Sequence, residues 1–352
     1  MPDKLAGVDI LLHHVADKPL PLVRLAQILH AKGQLAHARE LCAAAVAMAP
    51  NSGEVHALAA EVFSQTVPTF YWSLLRHGHR RHQIYETVFR RAIRPHSHVL
   101  DIGSGTGLFA MLAARAGAAE VIACEANPAV AEVVSEIVAL NNLADRVRVV
   151  AKRSSDLEIG VDLNAHVDVV IWDNLSRTLI GAGALPTVEQ AVRRLMRPGG
   201  QIIPARGAIR IALAEHHNPQ WQMGIVEGFD LSPFNRLAPP CYHISYDNEP
   251  AMLRSDIGDL FHFDFGSGGP FPQGRAAVTL SALGGRVNGI VQLVYLELDG
   301  ELSDQFPIVE KTSVSGAMFY PLVRPIETAP GDRLKVCGSH DRLSLRIWVD
   351  IS

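Results

Sequence analysis

The residues best suited to chemistry form a glycine-rich loop, Asp101-Ile-Gly-Ser-Gly-Thr-Gly107, between a predicted strand and a predicted helix. Gly103, Gly105 and Gly107 allow a ligand to approach the backbone, and the N-terminus of the following helix offers free N–H groups. A dinucleotide fingerprint would need glycine at the next position, which is Leu108. The loop therefore predicts a nucleoside-type ligand and argues against NAD.

A strand-terminal acid is the second chemical feature. Glu125 ends the predicted strand VIACE, eighteen residues after Gly107. A carboxylate at this place can accept hydrogen bonds from both hydroxyls of a ribose. We interpret Asp101 as a residue that orients the glycine loop through hydrogen bonds, with direct chemistry as the alternative.

The elements that must position these residues lie between about residues 96 and 205. Five apolar strand-like runs alternate there with helical segments: HVLDIG, EVIACE, VRVVA, VDVVIWD and QIIPA. Continuously apolar strands separated by helices predict a parallel sheet covered on both faces. We therefore expect an α/β fold with a doubly wound, Rossmann-like domain.

The two ends of the chain have residue patterns that differ from those of the α/β region. Residues 19–52 predict a helix-turn-helix with its break at Gly33, and a further unit begins at Gly53. The spacing resembles a tetratricopeptide repeat, with an ordinary alanine-rich helical hairpin as the alternative. Beyond Ala205, successive strand-like runs between Gly, Pro and Asp turns predict a mostly antiparallel β-barrel or sandwich.

Composition excludes several classes of protein. With 48% hydrophobic and 19% charged residues, the 352-residue chain is not disordered, and its length predicts more than one folded unit. A net charge of −4 disfavours nucleic acid as a partner. The chain has no apolar run free of acids that could span a membrane, and its first 18 residues lack a secretory signal.

Metal binding is not expected. The four cysteines are far apart without CxxC spacing, which argues against a zinc site or a disulfide framework and fits a reducing cytoplasm. Five histidines cluster in the sequence, but their spacing matches no zinc pattern, and we interpret them as solvated or capping residues: His77, His79, His82, His96 and His98.

The glycine loop and Glu125 together resemble the class I S-adenosyl-L-methionine-dependent methyltransferases. Within that class, four segments are similar to the protein arginine methyltransferases: RRHQIYETVFRRAIRP (80–95), LIGAGALP (179–186), QWQMGIVEGFDLSPFN (220–235) and GAMFYPLVRPIETAPGDRLK (316–335). The resemblance covers roughly residues 70–352. It divides the chain into a helical segment (1–66), a Rossmann-like cofactor domain with its covering helix (67–205) and a barrel-like substrate and dimerisation domain (206–352).

The resemblance implies S-adenosyl-L-methionine as cofactor. It implies that Arg81, four residues before Tyr85, engages the cofactor carboxylate, while Ser155 lies at the adenine or is a plain turn residue. The implied cofactor-binding residues are Arg81, Asp101, Gly103, Gly105, Gly107, Glu125 and Ser155.

The acceptor side departs from the family pattern. Where the family holds an arginine guanidinium between two glutamates, this chain has Asp173 and Ala182, and Thr312-Ser313-Val314 replaces a Thr-His-Trp loop. Asp173 is the predicted catalytic residue, flanked by Trp172 and Asn174. Loss of one carboxylate weakens the inference of arginine as acceptor, because a protonated guanidinium calls for carboxylates around it.

We therefore expect methyl transfer to a side-chain nitrogen of a protein or peptide. Alternatives are a small-molecule methyltransferase acting on an amine-bearing substrate and a non-catalytic cofactor-binding interaction protein. The segment after Phe229 implies a homodimer, through the resemblance alone, and the expected location is cytoplasmic.

Overall fold

The computed structural model describes residues 11–64, 72, 75–76, 78–173, 177–181, 183–217, 223–245, 249–307, 309–310 and 312–350. Near the start of the described chain, residues 11–15 are helical, and the helices α1 (Pro19–Ala31), α2 (Leu35–Met48) and α3 (Gly53–Phe63) follow. Gly33 has φ 78°, which allows the tight turn between α1 and α2. The predicted helix-turn-helix is confirmed, and its assignment to a tetratricopeptide repeat stays a prediction.

A five-stranded parallel sheet forms the middle of the chain, as predicted. Its strands are β1 (His98–Ile102), β2 (Glu120–Cys124), β3 (Val147–Val150), β4 (Val167–Trp172) and β5 (Met196–Ile203). Its helices are α4 (His79–Ala92), α5 (Leu108–Arg115), α6 (Pro128–Leu140) and α7 (Ala184–Gln190), the last continuing as a π-turn (Ala191–Leu195). The strand order β3-β2-β1-β4-β5 reverses direction between β1 and β4. Ligands of such sheets bind at the carboxyl ends of the strands at this switch point.

The last part of the chain is a barrel-like antiparallel sheet, again as predicted. Its longer strands are β6 (Arg206–Glu215), β11 (Gly258–Asp264), β12 (Gly274–Glu297), β16 (Met318–His340) and β17 (Leu345–Asp350). The short strands are β7 (Ile225–Val226), β8 (Phe229–Asp230), β9 (Tyr242–His243), β10 (Ala251–Leu253), β13 (Ser303–Phe306), β14 (Val309–Glu310) and β15 (Ser313–Val314). β7 and β8 form a separate hairpin, followed by a 3₁₀ turn over Ser232–Leu237.

The buried side chains fall into separate clusters. One continuous apolar cluster extends from Tyr85 on α4 to Ile347 on β17 and includes side chains from both sheets. A second cluster, from Leu22 to Val62, belongs to α1–α3. The parallel sheet and the barrel-like sheet therefore share one core, which fixes their relative position.

The described helices and polar side chains bear on the expectations about membranes and metal ions. Among the helices of the described ranges, none is long and apolar enough to cross a membrane. Within the same ranges, no group of three or more His, Cys, Asp and Glu side chains is placed to hold a metal ion. His79 contacts Gln83 at 2.9 Å and His98 contacts Glu120 at 3.2 Å, whereas His77 lies outside the described residues.

Candidate active site

The glycine loop turns directly from β1 into α5. Gly103, Gly105 and Gly107 have φ angles of 69°, 54° and 73°, in the left-handed region that favours glycine. A Cβ on Gly107 would lie 2.8 Å from Val134 Cγ1. The three predicted glycines therefore form a backbone cradle at the carboxyl end of β1, and the last one also allows α6 to pack closely.

Glu125 is held against this cradle. One carboxylate oxygen accepts a hydrogen bond from the Gly105 N–H at 3.2 Å, and the other accepts from the Asn127 N–H at 2.8 Å. The side chain is partly exposed at the end of β2. The structure thus brings together the loop and the acid that the sequence singled out, with the acid oriented by backbone donors.

Asp101 lies on β1, one residue before the end of the strand and just before the cradle. Its side chain is 2% exposed, and Oδ2 has no hydrogen-bond partner among the described residues. Burial, with the nearby charges of Asp173 and Glu125, raises the pKa of Asp101 to about 8. The carboxyl is therefore protonated at neutral pH, and its interaction with the backbone of Ala110 ties it to the first turns of α5.

Arg81 and Tyr85 lie one turn apart on α4, which covers the carboxyl ends of β1 and β4. The Tyr85 ring is fully buried and stacks on Phe109, with ring centroids 4.6 Å apart and planes 8° apart. The Arg81 guanidinium lies 4.8 Å from the Tyr85 ring centroid. This aromatic base fixes the direction in which Arg81 points.

Two carboxylates hold the Arg81 guanidinium. Nη1 donates to Asp173 Oδ2 at 2.8 Å, Nη2 donates to Asp173 Oδ1, and Nε donates to Asp304 Oδ2 at 2.9 Å. Tyr85 adds a hydroxyl 3.2 Å from Nη2 and 3.3 Å from Asp173 Oδ1. Asp173, the predicted catalytic residue, therefore lies next to the predicted cofactor-binding Arg81, at the end of β4.

The charges in this cluster stabilise one another. Burial alone would lower the pKa of Arg81, but the carboxylates of Asp173 and Asp304 hold it well above its ordinary value. Burial also raises the pKa of the Tyr85 hydroxyl, and burial together with the Arg81 charge lowers the pKa of His82. At neutral pH the cluster contains one cation, two carboxylates, a neutral phenol and a neutral imidazole.

Ser155 lies apart from this cluster. It is exposed in the 3₁₀ turn Ser154–Asp156, which follows β3 at the same edge of the sheet. Its hydroxyl contacts Asp156 Oδ1 at 2.9 Å, and its carbonyl accepts from Arg194. These contacts fit a turn residue, and the adenine contact stays a prediction.

The loop after β4 is described in part. Asn174 and Ala182 lie outside the described residues. Trp172 is buried with its ring 5.0 Å from that of Phe265, and the Arg177 carbonyl accepts from Gln292 Nε2 at 3.2 Å. The described part of this loop is therefore fixed against the barrel-like sheet.

The segment that replaces the Thr-His-Trp loop belongs to that sheet. Ser313 and Val314 form β15 and pair with β10, while the Thr312 carbonyl accepts from the Leu253 N–H at 2.7 Å.

Asp304 is the residue that sequence reasoning missed. It lies on β13 and pairs in register with Leu296 of β12, 223 residues from its partner Arg81. Its side chain is 12% exposed. Asp304 is the charged residue of the strand Ser303–Phe306, whose other side chains are uncharged, and this was the signal in the sequence that could have pointed to it.

The domain that contains this site is similar to known proteins. A family model described as a methyltransferase domain matches residues 99–200. An arginine N(omega)-methyltransferase of Streptomyces achromogenes subsp. streptozoticus is 28% identical over 314 residues, covering 88% of this chain and 87% of the relative. Protein arginine N-methyltransferase 7 of Drosophila mojavensis is 31% identical over 264 residues. The match covers 69% of this chain and 37% of that relative's length.

Solved structures share the architecture. The Trypanosoma brucei PRMT1 enzyme-prozyme heterotetrameric complex with AdoHcy matches with a TM-score of 0.68 and 19% identity, covering 81% of this chain and 93% of the other. Protein arginine methyltransferase 10 of Arabidopsis thaliana matches with a TM-score of 0.62 and 17% identity, covering 79% and 89%.

The fold and the glycine-loop site define a class I methyltransferase that depends on S-adenosyl-L-methionine. Within that class, the chain shares its architecture with solved structures of protein arginine methyltransferases.

Proposed function

We propose that this enzyme transfers a methyl group from S-adenosyl-L-methionine to a guanidinium nitrogen of arginine in a protein or peptide. The observation that carries the proposal is the position of Asp173, a carboxylate at the end of β4, beside Arg81 and across the switch point from the glycine cradle. The relatives named for arginine methylation support the choice of acceptor.

The residues of the cradle fit the cofactor. The positive φ angles of Gly103, Gly105 and Gly107 turn the backbone at the carboxyl end of β1, which suits a close approach by the amino-acid end of the molecule. Glu125, with both oxygens oriented by backbone N–H groups, retains lone pairs for the two ribose hydroxyls. Asp101 would support the loop from below, and Ser155 would lie at the adenine.

The Arg81 guanidinium retains one N–H group that could donate to the cofactor carboxylate. A guanidinium has five N–H donors. Among the described residues, Arg81 uses four of them, on Asp304, on both oxygens of Asp173 and on the Tyr85 hydroxyl. The remaining Nη1 hydrogen supports a role in binding the cofactor carboxylate without leaving Asp173.

When bound, S-adenosyl-L-methionine supplies an electrophilic methyl group on its sulfonium sulfur. Asp173 would accept N–H donors of the acceptor guanidinium and orient one nitrogen toward that methyl group. As the new N–C bond formed, the methyl–sulfur bond would break and leave S-adenosylhomocysteine, and the nitrogen would lose a proton that a carboxylate oxygen of Asp173 could receive. Positioning of the two reactants and exclusion of water account for most of the rate enhancement in such a transfer.

Free arginine is the second candidate acceptor. The relative that aligns over 88% of this chain has a name that mentions arginine without mentioning a protein. The two candidates differ in the size of the labelled product, so one experiment separates them.

The test supplies cofactor with a tritiated methyl group together with an arginine-containing peptide or free arginine. We expect enzyme-dependent label in the peptide and loss of label in Asp173→Asn, with cofactor affinity retained. Asp145→Asn, which changes an exposed carboxylate far from the cluster, is the control. Label in free arginine alone would move the acceptor to a small molecule. Absence of label with either acceptor, and with cell extract, would leave a non-catalytic interaction protein.

We also propose that the chain forms a homodimer through the hairpin β7–β8 and the turn that follows it. This segment presents large apolar side chains to solvent: Ile225 is 70% exposed, Phe229 71%, Phe234 63% and Leu237 76%. Contiguous exposed apolar surface of this kind favours burial against another chain. Sedimentation at micromolar concentration tests it: a dimer is expected for wild type and for Leu140→Asp on α6, and a monomer for Phe229→Asp.

The division into residues 1–66, 67–205 and 206–352 is likewise our proposal, supported by the change from parallel to antiparallel strands between Ile203 and Arg206. A cytoplasmic location is supported by the four cysteines, which are all free thiols.

A further inference from the structure

Asp304 makes a two-carboxylate environment around a single guanidinium. Its Oδ2 accepts from the Nε edge of Arg81, while Asp173 accepts from the Nη edge. The side chains of Arg81, Asp173 and Asp304 are each 12–18% exposed, so their charges interact in a medium of low polarity. The two acids come from β4 and β13, one from each sheet of the molecule.

The charges around Asp173 decide what else it can bind. Asp173 alone would be neutralised by Arg81, which would leave no net attraction for a second cation. With Asp304 included, one guanidinium faces two carboxylates, and the cluster has a net charge of −1. The neighbouring Asp101 and His82 do not change this sum at neutral pH, because the pKa of Asp101 is raised to about 8 and that of His82 is lowered.

We propose that Asp304 is the second acidic residue of the acceptor site and replaces the carboxylate missing at Ala182. It acts as a positioning residue by neutralising Arg81, so that Asp173 keeps its negative charge for an incoming guanidinium. The substrate class that this selects is a protonated, planar cation. The inference rests on the proposed function, since it concerns the acceptor of that same reaction.

The geometry of Arg81 supports this assignment. Its guanidinium is contacted along two different edges by the two carboxylates, which is the arrangement that a charged, forked donor group requires. Asp304 Oδ1 has no hydrogen-bond partner among the described residues, so it can accept a further donor.

The test compares the KM for an arginine-containing peptide in the wild type and in variants of Asp304. In Asp304→Asn the cluster becomes neutral, and we expect the acceptor KM to rise about tenfold while the Kd for S-adenosylhomocysteine stays within about twofold. Asp304→Glu keeps the charge and should keep the acceptor KM within about threefold. If Asp304 only supported the fold or the cofactor, the Kd and the thermal stability would change and the acceptor KM would not.

A double variant separates charge from structure. In Arg81→Gln with Asp304→Asn, Asp173 again supplies a net charge of −1, so the acceptor KM should fall back toward wild type although cofactor binding weakens. An acceptor KM as high as in Asp304→Asn, or higher, would overturn the proposal.

Asp299→Asn is the matched control, because Asp299 also contacts an arginine of α4, Arg91, at 3.3 Å, but outside the cluster. It should leave the acceptor KM unchanged. If wild type methylates no arginine in either free or peptide form, the proposed function fails, and that outcome is distinct from an unchanged KM in Asp304→Asn.

Discussion

The carboxylate of Glu125 accepts a hydrogen bond from the backbone N–H of Gly105 at 3.2 Å. This contact joins the ends of two neighbouring parallel strands, β2 and β1, and it fixes the acid at the edge of the glycine cradle. The same carboxylate cannot move toward a ligand independently of the loop. Its second oxygen is held in turn by Asn127.

Replacement of Glu125 by alanine should therefore weaken cofactor binding by about 1.5–3 kcal/mol, roughly tenfold to a hundredfold in Kd. Calorimetry with S-adenosylhomocysteine measures this directly. Glu120→Gln, at the opposite end of the same strand, where the side chain contacts His98 and Asn164, should leave the Kd unchanged. Equal affinities for wild type and Glu125→Ala would remove Glu125 from the site.

Gly107→Ala should be destabilising for two reasons, a positive φ of 73° and a Cβ only 2.8 Å from Val134. We expect a loss of about 1–3 kcal/mol in the free energy of unfolding, together with weaker cofactor binding. Gly117→Ala, at the other end of α5, has φ 109° with no neighbour within 4 Å, so it reports backbone strain alone. Denaturant unfolding of both variants distinguishes the contributions; identical losses would exclude the contact with Val134.

The buried Asp101 should make stability depend on pH. Its pKa is raised from 3.8 to about 8, so the native protein holds a proton that the unfolded chain releases between these values. The stabilising contribution is fully present below pH 4 and is lost as pH rises through about 8, with a slope of at most about 1.4 kcal/mol per pH unit.

The measurement is thermal unfolding from pH 5 to 9 in wild type and Asp101→Asn. The amide cannot ionise, so the stability of the variant relative to wild type should increase with pH over this range. Asp264→Asn, an exposed acid on β11, should keep the wild-type pH profile. A difference between Asp101→Asn and wild type that does not vary with pH would contradict the raised pKa.

Tyr85→Phe should reduce turnover with little effect on folding. The ring stays stacked on Phe109, but the variant lacks the Tyr85 hydroxyl. That hydroxyl contacts Asp173 at 3.3 Å and Arg81 at 3.2 Å. A cost of about 1 kcal/mol predicts roughly a fivefold fall in kcat/KM for the acceptor. Tyr295→Phe is the control: it preserves the ring under Arg210, and its kcat/KM for the acceptor should equal that of the wild type. A large fall in melting temperature for Tyr85→Phe would indicate a structural role instead.

Much of this site follows from the sequence because parallel strands bring their carboxyl ends to one edge. Gly105 and Glu125 follow the neighbouring strands β1 and β2, so their proximity is implied once these strands are recognised. Asp304 could not be found in this way. It reaches Arg81 only because β13 pairs with β12 and packs over α4, and no local pattern encodes that contact.

The register of the strands in the barrel-like sheet also could not be predicted from the sequence. The pairing of β12 with β16 shifts register between Ser281 and Leu283 and again between Val287 and Gly289. Alternating apolar residues predict strands but not where an extra residue interrupts the ladder, because the irregularity depends on packing against distant elements.

The separate apolar cluster of α1–α3 has a consequence for how the molecule melts. Because the cluster from Tyr85 to Ile347 is continuous across both sheets, loss of packing in one sheet removes support from the other, and the two should unfold in one cooperative transition. The helices, whose cluster ends at Val62, can open independently and at lower cost. Hydrogen exchange should therefore report faster amide exchange in α1–α3 than in β1 or β12.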